Sequence, residues 1–378
     1  MADYYARPIS TTLGGVNQSR EEWIHHLAGR CAEVRVLNAA RGLQTSDVLA
    51  DSNISINKIG HLGKTRSTMV PIISQVVRAL RDCDLLYLHE GWTLSSTIVA
   101  RIASRLALPY VVKPHGVYEP EIVRTLRAVP GRRLSENKTL SEALAVHCFF
   151  STESQSVQRL APTARCIVAP TGFTFPDPAT ERVPGAEEPY LAWLGRYDVH
   201  HKGIDLLFEA LARVRQDMKM KLVMVGQDYN DGRRDVDRLR AEFGLDDQVL
   251  HVRGPLPQRE ALDFVANSHG FIHTPRWEAL GRTVVDSIGL GIPTAVARTA
   301  HIGKAMSDAG VDMTFELTVS DIGEALLALQ DTAVDTARSK AWAAQHFSWD
   351  RSMNEWEKQI SILFEQRSDE STHIHGTT

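Results

Sequence analysis

The stretch "LGRYDVHHKGIDLLFEAL" (194–211) combines the end of an apolar strand, a turn that contains glycine, and the start of an amphipathic helix. A second stretch, "GFIHTPRWEALGRTVVDSIGLG" (270–291), has the same strand–loop–helix order. Strands that alternate with helices of this length indicate βαβ units, which build parallel sheets. Both stretches therefore predict an α/β fold with its ligand-binding loops at the carboxyl ends of the strands.

The same alternation extends outwards over most of the chain. Helical patterns separate apolar runs in the first half, for example at 19–30, 68–81 and 95–107. The runs that predict strands are 32–38, 84–89, 109–115, 148–152, 165–170, 190–196, 221–227, 249–254, 270–275 and 293–298. The first five runs form one set and the last five form another. The two sets predict two facing Rossmann-like domains with parallel sheets, and a ligand site in the cleft between them.

Composition shifts along the chain predict the domain boundaries. An N-terminal Rossmann-like domain is expected over 1–172, and a linker rich in proline over 173–189. A C-terminal Rossmann-like domain follows over 190–349. The pattern predicts an amphipathic helix at 350–366, and the polar composition of 367–378 predicts a disordered tail.

Bulk composition excludes several classes of protein. The 378 residues carry a net charge of -4, whereas a general nucleic-acid binder usually has a basic surplus. None of the four cysteines forms a CxxC pair, so we expect reduced thiols rather than a zinc site or a disulfide framework. Neither a signal peptide nor an apolar run long enough to span a membrane is visible, which favours a cytoplasmic protein.

The first stretch carries a possible anion site. Arg196 and Lys202 flank the turn before a helix that begins near Ile204. Two cations beside the positive end of a helix suit a diphosphate, although most basic loop residues are simply solvated.

The second stretch carries a similar helix start. The amides of Gly281, Arg282 and Thr283 precede the intrahelical hydrogen-bond ladder and are suited to an anion. Glu278 lies in the loop, where capping of the helix competes with ligand binding. Asp286 lies about one turn into the helix, where aspartate is unfavourable, and a carboxylate there can accept two hydrogen bonds from the diol of a ribose. Together the two stretches predict a site for a nucleotide diphosphate.

Several motifs in register resemble the retaining glycosyltransferases of family four (glycosyl transferases group 1), which have the GT-B fold. They are "LGRYDVHHKGIDLLFEAL", "KLVMVGQ", "VLHVRGPLPQREALDFVANSHGFIHTPRWEALGRTVVDSIGLGIP" and "HFSWD", and they cover most of 186–350. In the N-terminal half the resemblance rests on "TLGGVNQ" (12–18) and "VKPHGVYEP" (112–120). It implies an enzyme that transfers a sugar from a nucleotide-diphosphate sugar to an acceptor hydroxyl, in the biosynthesis of a glycan, a glycolipid or a glycosylated metabolite.

The resemblance also implies roles for individual residues. Glu278 would contact hydroxyls of the donor sugar, and Asp286 would bind the ribose. Arg196 and Lys202 would neutralise the donor diphosphate, and His115 would hydrogen-bond the donor sugar near the reacting carbon.

Other implied contacts with the donor come mainly from the backbone. Gly14 and Gly15 match a glycine loop that approaches the phosphates. The segment "VRGPLP" occupies the place that packs on the nucleobase, with Val252, Gly254 and Leu256 as its candidates. The chain departs from the family signature at Asp286, because the family has Glu there and the aspartate is shorter by about 1.5 Å.

We expect no required metal ion or other cofactor, since no Asp-x-Asp pair stands in a suitable setting at a strand end. The resemblance implies that the acceptor attacks on the face from which the diphosphate leaves. Three alternatives stay open: a GT-B sugar-nucleotide epimerase or hydrolase, a sugar-nucleotide-binding protein without activity, and a dinucleotide-dependent oxidoreductase. Against the oxidoreductase, the chain lacks the G-x-G-x-x-G motif that such an enzyme has after its first strand.

The acceptor is expected to bind the N-terminal half, and it can be a glycan, a lipid-linked molecule or a small molecule. Two basic stretches lie there, at 61–81 and 121–138. The second contains several cations suited to anionic lipid headgroups or to a lipid diphosphate, although a solvated surface balanced by acids explains them equally: Arg124, Arg127, Arg132, Arg133 and Lys138. Peripheral contact with the inner face of the membrane is therefore one expectation.

Overall fold

The computed structural model describes residues 1–5, 15–39, 51–63, 68–126, 131–175, 188–311, 313–330 and 336–375, with side chains described as far as 367. The chain divides into two compact units. Unit 1 comprises Met1–Gly172 and Trp349–Thr378, and unit 2 comprises Phe173–Ser348.

Unit 1 contains a parallel sheet. Its strands in chain order are β1 (Ala2–Tyr5), β2 (Val34–Ala39), β3 (Ile54–Ile59), β4 (His61–Leu62), β5 (Val70–Pro71), β6 (Leu86–His89), β7 (Tyr110–Lys113), β8 (Ala145–Cys148) and β9 (Cys166–Val168). Over the described residues the sheet order is β3-β2-β1-β6-β7-β8-β9, and β4 and β5 form a separate antiparallel pair. The chain leaves β1 in one direction and returns on the other side with β6, so their junction is the switch point at which ligands bind in such sheets.

Helices alternate with these strands in unit 1. They are α1 (Gly15–Ala28), α2 (Ile73–Leu80), α3 (Leu94–Arg105), α4 (Pro120–Leu126), α5 (Arg132–Ser141) and α6 (Ser151–Leu160). Helix α3 shows how the sequence specifies them. The Thr93 hydroxyl caps its start by accepting a hydrogen bond from the Ser96 amide at 3.0 Å. Its inner face then buries Val99, Ile102 and Ala103 in the core.

Unit 2 is built in the same way. Its strands are β10 (Tyr190–Tyr197), β11 (Lys221–Asp228), β12 (Leu250–Arg253), β13 (Gly270–His273), β14 (Thr294–Ala297) and β15 (Met313–Phe315). Its helices are α7 (Ile204–Val214), α8 (Gly232–Glu242), α9 (Gln258–Ala266), α10 (Arg282–Gly289), α11 (His301–Ala309), α12 (Val319–Ala328) and α13 (Ala337–His346). The parallel order over the described residues is β12-β11-β10-β13-β14-β15, so the switch point lies between β10 and β13.

The apolar runs of unit 2 form strands because both faces of the sheet are covered. Residues 190–193 at the start of β10 are all buried, with Leu191, Ala192 and Trp193 fully so. A strand buried on both faces has a continuous apolar run rather than an alternating pattern.

The strand predicted at 148–152 is wrong in its position. Strand β8 ends at Cys148, and helix α6 begins at Ser151. The Glu153 carboxylate accepts hydrogen bonds from the amides of Phe149, at 2.6 Å, and Gly116, at 3.2 Å. Phe149 and Phe150 therefore lie in a buried loop. Because both residues are apolar, the sequence of this loop has the pattern of a buried strand.

Sequence patterns did not predict β1, β3, β4, β5 or β15, and β5 lies within the predicted helix 68–81. Strand β1 has only four residues, including the buried aspartate Asp3, so it lacks an apolar run. Its place between β2 and β6 comes from pairing on both sides, which no local pattern reveals.

The C-terminal helix is longer than the sequence predicted. Helix α14 spans Trp349–His375, which contradicts the disordered tail predicted from 367 onwards, and residues 376–378 lie outside the described residues. The helix belongs to unit 1, where Trp349, Met353 and Trp356 pack in one apolar cluster with Trp23 of α1. This packing anchors the first part of the helix, before residue 367.

The predicted linker at 173–189 is described only at its two ends. The Phe173 amide donates to the Phe347 carbonyl at 2.8 Å, and the Phe173 ring stacks on Phe175 with centroids 6.3 Å apart. The linker therefore begins with residues packed in unit 2. Residues 176–187 lie outside the described residues.

Candidate functional site

The loops that follow β10 and β13 lie side by side because these strands are neighbours at the switch point of unit 2. Hydrogen bonds tie the loops together. The Arg276 amide donates to the His201 carbonyl at 2.8 Å, and Arg276 Nη1 donates to the His200 carbonyl at 2.7 Å. The same guanidinium forms a two-pronged ion pair with Asp205 at 2.8 and 2.6 Å. The loops therefore form a preorganised surface at the carboxyl end of the sheet.

Lys202 and Glu278 form an ion pair across these loops. Lys202 Nζ donates to Glu278 Oε2, and the two side chains are only 10% and 20% exposed. Burial acts to raise the pKa of Glu278, but Lys202, His273 and His201 outweigh it and hold that pKa well below its ordinary value. The structure thus joins two residues that the sequence analysis placed in separate motifs.

Gly203 permits this pairing. It adopts φ +61°, and a Cβ at this position would lie 2.1 Å from the Thr274 carbonyl oxygen. The left-handed conformation lets α7 begin directly after Lys202 while the loop stays against the end of β13. The Thr274 hydroxyl donates to the Lys202 carbonyl at 3.0 Å, which holds the backbone of the lysine in place.

Two histidines that the sequence analysis did not select surround the carboxylate of Glu278. His273 Nε2 lies 3.6 Å from Glu278 Oε2, and its pKa is lowered by burial. Neither ring nitrogen of His273 has a hydrogen-bond partner among the described residues. His201 Nε2 donates to the Trp277 carbonyl at 2.8 Å, and the two rings stack with centroids 4.5 Å apart. The available signal was position alone: His273 ends the apolar run of "FIHT", and His201 lies in "VHHK", in the loop after the preceding strand.

Helix α10 begins as the sequence predicted. Gly281 precedes it with φ +69°, and its carbonyl accepts the Val284 amide at 2.8 Å. The amides of Arg282 and Thr283 therefore stand before the first intrahelical acceptor, the position at which helices bind anions. Arg282 Nε lies 4.0 Å from Asp286 Oδ2, so the aspartate has a cation one turn before it.

Arg196 lies near the end of β10, and its exposed side chain stacks on a tyrosine. Its guanidinium carbon is 4.5 Å from the centroid of the Tyr229 ring. Such a contact orients the guanidinium, and no salt bridge within 4.0 Å joins it to a carboxylate among the described residues, so its charge can still attract an anion.

The three candidates for nucleobase contact differ in exposure. Val252 is buried in the core of unit 2, so only its backbone is available to a ligand. Gly254 is exposed, and a Cβ there would meet nothing within 4 Å. Leu256 is half-buried.

The remaining candidates belong to unit 1. His115 follows β7 with φ +55°, a conformation that is uncommon outside glycine. Its Nε2 lies 2.9 Å from Nδ1 of His89, a residue that the sequence analysis did not select. Gly15 begins α1, and Gly14 lies outside the described residues.

The described part of the chain contains neither a metal-binding cluster nor a membrane-spanning helix. No three His, Cys, Asp or Glu side chains there lie close enough together to hold a metal ion. No described helix is both long enough and apolar enough to cross a membrane.

Family comparisons match both halves of the chain. The profile described as "Glycosyl transferases group 1" matches residues 188–331. The profile described as "Glycosyl transferase 4-like domain" matches residues 14–172.

Two curated relatives have the same name, GDP-mannose:cellobiosyl-diphosphopolyprenol alpha-mannosyltransferase. The protein from Xanthomonas campestris is 24% identical over 242 residues, which cover 63% of this chain and 61% of the relative. The protein from Xanthomonas oryzae pv. oryzae is 22% identical over 304 residues, which cover 78% of each chain. The first match thus spans less than two thirds of the relative.

Solved structures with a similar fold match nearly the whole chain. A sucrose-phosphate synthase from Thermosynechococcus elongatus aligns with a TM-score of 0.76 and 16% identity, over 97% of this chain and 99% of the other. Anabaena Alr3699/HepE, solved in complex with UDP-glucose, aligns with a TM-score of 0.73 and 16% identity, over 96% and 100%.

Proposed function

The chain belongs to the glycosyltransferases of family four with the GT-B fold and depends on a nucleotide-sugar, and we propose that it transfers the sugar with retention of configuration and without a metal ion. The acceptor supplies a hydroxyl, and the product enters a glycan, a glycolipid or a glycosylated metabolite. The coarser prediction of a hexosyltransferase of this family is confirmed.

The ion pair between Lys202 and Glu278 is the observation that carries the proposal. It joins a cation, which suits a diphosphate, to a carboxylate, which suits sugar hydroxyls, on two loops that neighbouring strands hold together. A nucleotide-sugar carries these two groups next to each other, since its sugar is bonded to the β-phosphate. We propose that Lys202 binds this phosphate and Glu278 binds the sugar.

The chemistry follows from this arrangement. The bond between the anomeric carbon and the phosphate oxygen breaks, and negative charge develops on the diphosphate. Lys202, Arg196 and the amides of Arg282 and Thr283 stabilise that charge. The acceptor oxygen bonds to the anomeric carbon on the face from which the diphosphate departs, and its proton passes to a phosphate oxygen. His115 is proposed to bind the sugar from unit 1.

A thermal-shift panel with ADP, GDP and UDP tests donor binding. We expect one base series to raise the melting temperature by about 5 °C when the ligand is present at about a hundred times its Kd. The reason is that a ligand bound only by the folded state stabilises that state. Equal melting temperatures with all three nucleotides, and with their sugar conjugates, would contradict the proposed function.

Asp286 gives this panel its matched variant. We propose that its carboxylate binds the ribose, so Asp286→Ala should reduce the shift caused by the stabilising nucleotide, whereas Asp286→Glu should retain it. Asp308→Ala is the control, because Asp308 is an exposed aspartate on α11 of the same unit. An undiminished shift in Asp286→Ala would exclude the ribose contact.

For the acceptor we propose a glycan carried on a lipid diphosphate, bound at the cytoplasmic face of the membrane. The two curated relatives are named for such an acceptor. Unit 1 also exposes Arg124 on α4 and Arg133, Leu134 and Lys138 on α5, which we take together as the candidate membrane-contact patch. Leu134 is 78% exposed, and cations beside an exposed apolar side chain suit the surface of an anionic membrane.

Two other arginines of the predicted basic stretch do not belong to this patch. Arg132 donates through Nη2 to the Trp92 carbonyl, so it holds a loop of unit 1. Arg127 lies outside the described residues.

Vesicle sedimentation tests the patch. We expect the chain to pellet with vesicles that contain anionic lipid, less so at high salt, and not with neutral vesicles. Leu134→Glu with Arg133→Glu should leave the protein in the supernatant, whereas Lys304→Glu on α11 is the control. Equal recovery in the supernatant with both vesicle types would contradict membrane contact without affecting the proposed transfer reaction.

A further inference from the structure

A chain of buried polar side chains crosses the switch point of unit 1. Strand β1 pairs with β6, and β6 pairs with β7, so Asp3 and His89 are brought close to the residue that follows β7 at its carboxyl end. Asp3 Oδ2 lies 2.6 Å from His89 Nε2, and His89 Nδ1 lies 2.9 Å from His115 Nε2. At the other end Arg20 contacts Asp3 Oδ1 through Nε at 2.6 Å and also through Nη2.

The distribution of protons along this chain follows from the donors and acceptors. Burial acts to raise the pKa of Asp3, but Arg20 and His89 outweigh it and hold the pKa below its ordinary value, so the carboxylate only accepts. His89 must therefore donate from Nε2. Burial lowers the pKa of His89, so the ring is neutral and its Nδ1 carries a lone pair.

His115 is the last member of the chain. Because His89 Nδ1 accepts, His115 Nε2 must carry the proton of this hydrogen bond. Burial lowers the pKa of His115 well below its ordinary value, so this ring is also neutral and its Nδ1 carries a lone pair.

The backbone and ring contacts hold His115 in this orientation. Its φ of +55° is a strained value for a non-glycine residue. The next amide, that of Gly116, donates to Glu153. The rings of His89 and His115 stack with centroids 5.2 Å apart and planes 23° apart. His89 is fully buried, whereas His115 is half-buried and is the member of the pair that a ligand can reach.

We propose that Asp3 and His89 are positioning residues, which hold His115 in the tautomer protonated on Nε2 and so present its Nδ1 as an acceptor for a hydroxyl of the bound sugar. The proposal rests on the proposed function for the identity of the ligand as a sugar. It assigns roles to two residues that never touch the ligand. A neutral acceptor suits a sugar hydroxyl, which can always donate one hydrogen bond.

The Asp3→Asn variant tests the proton arrangement, because Arg20 determines how an asparagine must lie. Arg20 Nε donates to Oδ1, and Arg20 Nη2 also approaches this oxygen, so the asparagine must place its oxygen there and its NH₂ group towards His89 Nε2. His89 Nε2 must then accept, and its proton moves to Nδ1. His115 Nε2 must accept in turn, and its proton moves to Nδ1. We therefore expect both tautomers to invert.

Nitrogen-15 NMR of the histidine rings in the full chain reads the tautomers directly. Wild type should show His89 and His115 both protonated on Nε2. Any other protonation pattern in the wild-type protein would overturn the proposal, and this test needs no variant. Spectra of His89→Gln and His115→Gln assign the signals. His147 is an internal control, because its Nε2 donates to the Ala169 carbonyl at 2.7 Å and its tautomer should not change.

Kinetics supply the second readout. Asp3→Asn should lower kcat/KM for the nucleotide-sugar by about tenfold or more, because a donor then replaces the acceptor that faces the sugar hydroxyl. Tyr4→Phe is the control: Tyr4 is the neighbouring residue on β1, and the substitution removes a hydroxyl that bonds to His61.

The two proposals fail in different ways. A folded Asp3→Asn variant with unchanged tautomers overturns the positioning role, even if the enzyme transfers sugar. Inverted tautomers together with unchanged kcat/KM also overturn it, because the lone pair on His115 Nδ1 would then make no difference to catalysis. The wild-type tautomer pattern in a protein that consumes no nucleotide-sugar would instead refute the proposed function.

Discussion

Lys202→Met should lower kcat/KM for sugar transfer by about 10²- to 10³-fold, the loss expected when one preorganised group that stabilises developing charge is removed. Methionine keeps the length and apolar stem of lysine but cannot meet the charge of the leaving diphosphate. Initial rates of nucleoside diphosphate release over a range of donor concentrations measure the effect.

Wild-type rates should be unchanged in EDTA, because Lys202, Arg196 and the helix amides are proposed to stabilise the charge that a metal ion would otherwise stabilise.

The Lys202→Met variant should also be less stable, because Glu278, only 20% exposed, would be left without its cation. Breaking a buried pair from one side costs about 3–5 kcal/mol. The double variant Lys202→Met with Glu278→Gln removes both charges and should recover much of this stability but none of the activity. Lys304→Met is the control, since Lys304 forms an exposed pair with Asp308 in the same unit. Recovery of activity in the double variant would show that the single variant merely unfolds.

Glu278→Gln should lower kcat/KM by about 10²-fold while it preserves binding of the nucleoside diphosphate. The amide keeps the size of the side chain, but it accepts hydrogen bonds from sugar hydroxyls more weakly than a carboxylate does. Lys202, released from its partner, remains available to the phosphates. A protein that only binds nucleotide-sugars would lose affinity but has no turnover to lose, so kinetics and thermal shifts together distinguish the two.

The effect of Glu278→Gln on stability should depend on pH in a defined direction. The pKa of Glu278 in the folded protein is well below its ordinary value of 4.5, so the ion pair stabilises the fold fully above that value. This contribution is lost as the pH falls through the folded pKa, and the difference in the free energy of unfolding between wild type and variant should narrow there. Glu316→Gln, which affects the exposed pair with Arg298, is the control and should show little difference. A difference in the free energy of unfolding that becomes larger towards low pH would contradict the assigned ion pair.

Much of the fold was predictable because parallel strands buried on both faces have continuous apolar runs. Strand β10, for example, begins at the predicted residue, and α10 begins at Arg282, one of the two residues predicted for its start. The predicted GT-B fold is confirmed by the structural relatives. Strand β1 was missed because its aspartate, Asp3, is buried by partners from α1 and β6 that a local pattern does not show.

The candidate site was predictable only in part. The sequence identified Lys202 and Glu278 through their loops and through the family motifs, and their proposed roles stay predictions. It did not select His273, His201 or His89, because a histidine at the end of a strand, like His273 and His89, or in a loop, like His201, is ordinary. Only contacts with other elements distinguish these residues, such as the approach of His273 to Glu278.

The amino-acid sequence by itself determined the kinds of element and the chemistry of their ends: apolar runs that form strands, glycines before helices, and cations and acids in the loops that follow. Only the tertiary structure decided which of these ends meet. Lys202 and Glu278 are separated by 76 residues, and Asp3 and His89 by 86 residues, yet each pair is in direct contact. The physical reason is that strand order in a parallel sheet is set by how the crossover helices pack on its faces, which no local stretch of the chain contains.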